Sequence, residues 1–186
     1  MRSKLILFLT ATIIIITGCS SLTQKHQEAI DSSDKGNYNK ALRLYTEILE
    51  KKPNDPLYMN DYGWTLFMVD SLEKSIEVLE KAKELSKDRT VLLGRSIDRN
   101  LGIAKSYLEA REYLNQDEPQ KALDALSKNK LYRSKEMELS YFGLIYEKLG
   151  EKEKAQERWE AIINTYSGAD FDNKFYNIAL EKTKKD

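Results

Sequence analysis

A short stretch of sequence recurs along this 186-residue chain, and its spacing leaves few folds open. Gly36-Asn37-Tyr38-Asn39-Lys40-Ala41-Leu42 aligns with Asp70-Ser71-Leu72-Glu73-Lys74-Ser75-Ile76 and with Asp117-Glu118-Pro119-Gln120-Lys121-Ala122-Leu123. Gly150-Glu151-Lys152-Glu153-Lys154-Ala155 is a fourth copy. The small residue falls at 41, 75, 122 and 155, at intervals of 34, 47 and 33. In three copies another small residue stands twelve positions earlier, at Ala29, Gly63 and Gly143. Two antiparallel helices approach closely only where the facing side chains are small. Gly63 against Ser75 and Gly143 against Ala155 are therefore the expected contact points. Tyr45, Leu79, Leu126 and Trp159, each four residues after the small one, are expected to fill the flanks. Ile48, Ala82 and Ile162, seven residues after it, would face the next helix.

Local signals agree with helices. The chain has only 8 Gly and 3 Pro, and 32% of it is charged, which favours helices with a solvated face. Asp55-Pro56 supplies an N-cap and a first-turn proline. Asp70 with Glu73 predicts a capping-box-like entry into the next helix, and Gly150 sits where a helix should end. Apolar residues at i, i+3, i+4 would by themselves suit an unrelated helix bundle. Three units in near register favour stacking instead.

The pattern resembles the tetratricopeptide repeat, a 34-residue helix–turn–helix unit. The resemblance implies an all-α solenoid of about four units at 22–55, 56–89, 90–135 and 136–169, closed by a capping helix and tail over 170–186. Phe171, Phe175 and Ile178 recur at helical spacing in that cap, with Lys182, Lys184 and Lys185 in or near its last turn.

The unit at 90–135 is irregular. Leu93, Ile97, Leu101, Ala104 and Leu108 form one apolar stripe, which predicts a single helix from about Val91 to Leu114. Asn100-Leu101-Gly102-Ile103-Ala104 reads as the middle of a first helix, yet Gly102 lies 20 residues before Ala122 rather than twelve. Eight extra residues would lengthen the helix by about 12 Å. Its partner is expected from Pro119 to about Asn129, where a small or apolar residue is usual. The insertion is either a tolerated extension or, with Tyr107, Tyr113 and Leu114 at a protruding end, a partner contact.

The first twenty residues set a second constraint. A basic start at Met1–Lys4, an apolar run from Leu5 to Ile16 and the ending Ile16-Thr17-Gly18-Cys19 are the three regions of a secretory signal peptide. The last four residues resemble a bacterial lipobox. That resemblance implies removal of residues 1–18, a covalent lipid on Cys19, and residues 19–21 as a short tether. An uncleaved anchor would need about 20 apolar residues, and a cleaved signal without lipid is also compatible with Thr17-Gly18. Cys19 is the only cysteine, so no intramolecular disulfide accounts for it. Ser20 after the cysteine favours the periplasmic face of an outer membrane over the inner membrane or the cell surface.

Removing Arg2 and Lys4 from the 30 basic residues leaves 28 against 30 acidic ones, a balance that argues against a nucleic-acid surface. Chemistry is equally hard to find. His26 is the only histidine, and neither a phosphate-binding glycine loop nor a His/Cys metal spacing occurs. The expectation is therefore no catalytic residue, no metal and no cofactor beyond the lipid. In tetratricopeptide arrays the first helices line a concave groove. By position this implies Asn60, Trp64, Phe67 and Met68 from the second unit, Arg99, Ile103 and Tyr107 from the third, and Ser140 and Leu144 from the fourth. The Lys/Asn clamp of chaperone-binding members is not reproduced, since His26 and Ile30 stand at the matching places. The expected role is a membrane-anchored scaffold that binds an envelope protein or an extended peptide. An accessory regulator of a cell-wall enzyme and a host-contact surface lipoprotein are the alternatives.

Overall fold

The computed structural model describes residues 21–128, 136–166 and 174–184, and every regular element among them is an α-helix. We number them α1 (residues 21–34), α2 (Tyr38–Lys51), α3 (Pro56–Met68), α4 (Leu72–Leu85) and α5 (Val91–Asn115). They continue as α6 (Pro119–Ser127), α7 (Glu136–Lys148), α8 (Lys152–Tyr166) and α9 (Lys174–Thr183). Each packs on its neighbour in the chain, so the architecture is an all-helical stack of consecutive pairs. The segment 1–18, Cys19, Asn129 and Phe171 lie outside the described residues. Of the expected cap, α9 is present, with Phe175 and Ala179 buried.

The turns inside the pairs are built alike. Gly36, Asp70, Asp117 and Gly150 have φ of 78°, 63°, 59° and 77°, the left-handed region. In each turn this residue's N–H donates to the carbonyl three residues back, and the next N–H donates to the carbonyl five back. At Asp70 and Ser71 these bonds run to Phe67 and Leu66, at 2.9 and 3.0 Å; at Gly150 and Glu151 they run to Glu147 and Tyr146, at 3.0 and 2.9 Å. This is the Schellman arrangement, which satisfies carbonyls a helix end leaves open. Glycine adopts it freely, whereas aspartate adopts it against its Cβ. Asp70 therefore does not cap α4. Ser71 is the N-cap residue, without a side-chain bond, and Asp70 instead accepts from the Tyr141 hydroxyl and from Lys174. The Asp55 cap is as expected, accepting from the Leu57 N–H at 3.1 Å with Pro56 next to it.

Close approach within the pairs follows the small residues. Ser75 Oγ donates to the Gly63 carbonyl at 2.7 Å. A Cβ built on Gly63 would meet Leu79 Cγ at 2.7 Å, and one on Gly143 would meet Trp159 Cζ2 at 2.6 Å. The space each glycine leaves is thus occupied by the bulky residue four positions after the partner's small one. Tyr45, Leu79, Leu126 and Trp159 are all buried, as are Ile48, Ala82 and Ile162. Trp159 keeps its indole N–H satisfied on Glu147 Oε1 at 2.9 Å.

The long helix extends from Val91 to Asn115, but its register differs from the expectation. Ala110, twelve residues before Ala122, is the small residue of this pair, and both are fully buried. Gly102 does not take that role. Asn100 donates to Asn60 at 3.1 Å and Tyr107 meets Phe67 with ring centroids 5.0 Å apart, both at a sequence offset of 40. Tyr107 meets Tyr141 at an offset of 34. Ser96 is thus about level with Pro56, so Val91–Arg95 run past the start of α3, while Glu109–Asn115 run past its end and support α6 and α7. Tyr107 and Leu114 are core residues and Tyr113 packs against that core, not a protruding contact. The exposed overhang is the amino tip, where Val91 and Leu92 are 70% and 76% exposed.

Two outcomes follow for stability. Gly143→Ala forces a methyl into the Trp159 ring and is expected to cost about 1–3 kcal/mol, read as a fall in melting temperature; an unchanged melt would contradict the close contact. Asp70→Gly is expected to destabilise, because Tyr141 loses its acceptor, whereas Asp117→Gly in the same backbone geometry leaves the melting temperature unchanged or raises it. Equal shifts for the two would contradict the assignment.

Candidate binding cleft

The residues expected to line a groove fall into two environments. Asn60, Phe67, Met68, Ile103, Tyr107 and Ser140 are buried, with Phe67 at 0% and Tyr107 at 2% exposure. Trp64 is half-buried and stacks on Phe67 at 4.9 Å between centroids. From there an aromatic column crosses the first helices: Phe67 to Tyr107 at 5.0 Å and Tyr107 to Tyr141 at 5.0 Å, both edge-to-face. Asn60 and Asn100 satisfy each other beside it. Tyr38 of α2 reaches the buried Glu136 of α7. The inner face of the stack is therefore filled by its own side chains. Positional transfer of groove residues overlooked this, because nothing in one helix's pattern shows what a later helix brings against it. Arg99 is exposed and stands apart from the column.

A cleft of about 280 Å³ opens between the end of α5, the face of α7 and the start of α9. Leu114, Leu144, Phe175 and Ile178 give it an apolar floor. Ser140 and Leu144 are the two sequence-expected residues that reach it. The Ser140 hydroxyl is buried and, among the described residues, has no hydrogen-bond partner, a state that ordinarily costs about 1–3 kcal/mol.

Three cations ring the floor, and each is already engaged. Arg111 reaches Glu73, Lys174 reaches Asp70, and Lys148 donates to Asp117 at 2.6 Å. The Lys148 hydrogen bond and charge hold the Asp117 carboxyl below the usual carboxylate range. Asp70 also accepts from Tyr141 at 2.7 Å, which ties the turn after α3 to α7 and α9. A ligand acid would share these cations rather than find them bare, so apolar contact carries affinity and charge sets orientation. Arg111, Lys148, Asp70 and Lys174 lie in four different elements; no local sequence signal groups them.

A smaller cavity of about 160 Å³ lies between α1, α2 and α3, with Trp64, Asp34 and Asp61 on its wall. His26 contacts Asp61 at 2.8 Å and sits edge-on to Tyr58. Among the described residues no group of three or more His, Cys, Asp or Glu side chains is arranged to hold a metal.

Burial pushes the phenols of Tyr45, Tyr107 and Tyr141 well above their ordinary range, with neighbouring carboxylates adding to the effect. A raised folded-state value means stability is intact below the unfolded value of about 10 and is lost above it, by about 1.4 kcal/mol per pH unit for each phenol. Alkaline titration should show these three ionising only with cooperative unfolding, after half-buried tyrosines such as Tyr62 and Tyr146. Smooth ionisation of all tyrosines in a folded chain would refute their burial. No family model and no curated protein sequence matches this chain.

Proposed function

We propose that this protein is a membrane-tethered, non-enzymatic adaptor with tetratricopeptide-like stacking that binds an envelope protein or an extended peptide. Residues 1–18 act as the export signal and Cys19 carries the lipid, which assigns the chain to a bacterial envelope, with the periplasmic face of the outer membrane favoured. The repeated unit at 36, 70, 117 and 150 and the shared geometry of its turns support the stacking reading. Two or more acyl chains on the cysteine would hold the protein at the membrane stably, where one would not.

The observation that carries the binding reading is the cleft. An apolar floor bordered by cations and one unpartnered hydroxyl fits a segment with a bulky apolar side chain beside an acidic group. Such a partner would cover Leu144 and Ile178, the half-buried part of the apolar floor. The filled inner face moves the binding assignment from the whole expected groove to this cleft, and it makes Phe67 a core residue rather than a contact.

The test is co-purification of partners after gentle solubilisation. Leu144→Glu places a charge on the apolar floor and should lower partner recovery at least about tenfold, as loss of a central contact does. Lys148→Glu, on the exposed rim, should lower it less and with a stronger salt dependence. Unchanged recovery from both variants, with helicity retained, would overturn the cleft as the binding site.

A further inference from the structure

Four of the five large hydrophobic side chains that stand exposed among the described residues lie at one end of the stack. They are Leu57 at the start of α3, Leu85 at the end of α4, and Val91 and Leu92 at the start of α5. The packing beneath them establishes that this is a single end. Leu49, Met59, Val78, Ala82, Leu93 and Ile97, drawn from α2 to α5, form one cluster there. Leu22 of α1 packs with Ile48 and Tyr58, so the chain also enters its first helix at this end. The apolar run Leu5–Ile16 and Cys19 stand just ahead of that entry in sequence. The four left-handed turns, and the start of α8, belong to the opposite end.

The tip of α5 has the make-up of an interfacial anchor. A Cβ on Gly94 would meet nothing within 4 Å, so that side of the first turn stands clear of neighbours, while Leu93 packs inward. Arg95 and Arg99, both exposed, follow Val91 at i+4 and i+8 on the same helical face. Arginines one and two turns behind an apolar tip can lie along it and keep their guanidinium groups at the headgroups. Lys87 and Arg89 precede the tip and Lys83 pairs with Asp98, while Glu84 and Asp88 share the region, so the basic excess is small, five side chains against three. Apolar area rather than net charge would carry the contact.

We propose that Val91 and Leu92, at the overhanging tip of the long helix, dip into the interfacial layer of the membrane as a second contact beside the N-terminal anchor. Two points of attachment would fix the orientation of the stack and keep the basic-rimmed cleft on the side facing away from the bilayer. This also gives the extended helix a use: its overhang past α3 supplies the reach.

The test uses the lipidated chain with Cys19 kept, whose sulfur the lipid occupies, so that a single introduced cysteine is the only free thiol for a fluorophore. Leu92→Cys is compared with Glu153→Cys at the opposite end, both exposed and therefore tolerant of a label. Each is bound to phosphatidylethanolamine–phosphatidylglycerol vesicles containing lipids with a nitroxide on the acyl chain. The label at 92 should be quenched several-fold more than the label at 153, and the difference should persist at high salt. The inference rests on the membrane address proposed above, and the same samples separate the two. Chain that fails to bind vesicles overturns both. Bound chain with equal quenching at 92 and 153, or with 92 protected only when a protein partner is added, overturns the tip contact and leaves the address standing.

Discussion

The column of rings from Phe67 through Tyr107 to Tyr141 is the contact on which the rest of the structure depends. It joins α3, α5 and α7, three helices far apart in sequence, and it does so with large rigid groups in edge-to-face geometry. Stacked helical pairs otherwise touch only their neighbours, which makes such arrays open and quasi-one-dimensional. Here the column fills the inner side. Tyr38 on Glu136, and Tyr141 with Lys174 on Asp70, tie the early helices directly to the late ones. The buried Asn60–Asn100 pair fixes register alongside, since an amide displaced by one turn would lose its partner.

That closure takes the open space off the inner face. With the inner side occupied, an apolar-floored cleft lies at the seam where α9 meets α5 and α7. Asp70 is central to this seam. It occupies a strained backbone position, and in return it accepts two hydrogen bonds that hold the cleft wall together. Asp117 has the same backbone without the buried partner; its carboxylate faces solvent beside Lys148. Two turns with the same residue in the same backbone geometry thus serve different ends because one aspartate faces the seam and the other faces water. The opposite end of the stack is apolar at its tip, so the two ends differ in character and suit different neighbours.

Much of the fold was legible before any coordinates. The twelve-residue interval between small residues marks where two helices touch, and Gly63 and Gly143 lie against Leu79 and Trp159, the residues four positions after the partner's small one. The left-handed turn was legible at Gly150, where glycine announced it, and was misread at Asp70, where an aspartate before a helix reads equally well as a cap. The register of the long helix was misread because Gly102 is the more conspicuous small residue, although Ala110 keeps the interval. Of the cleft, only Ser140 and Leu144 were legible, since both lie on a first helix at groove-facing positions.

Periodicity, helix signals and the spacing of small residues are local, short-range properties, and they determined that this chain forms paired helices that stack in order. The tertiary structure alone decided which inner residues are core and which are surface, because burial depends on what a helix forty or seventy residues away brings into contact. Phe67 meets Tyr107 through the register of the long helix on α3, and Asp70 meets Tyr141 through the position that helix gives the last pair. No pattern within a single unit encodes that displacement; it arises from summed packing across units.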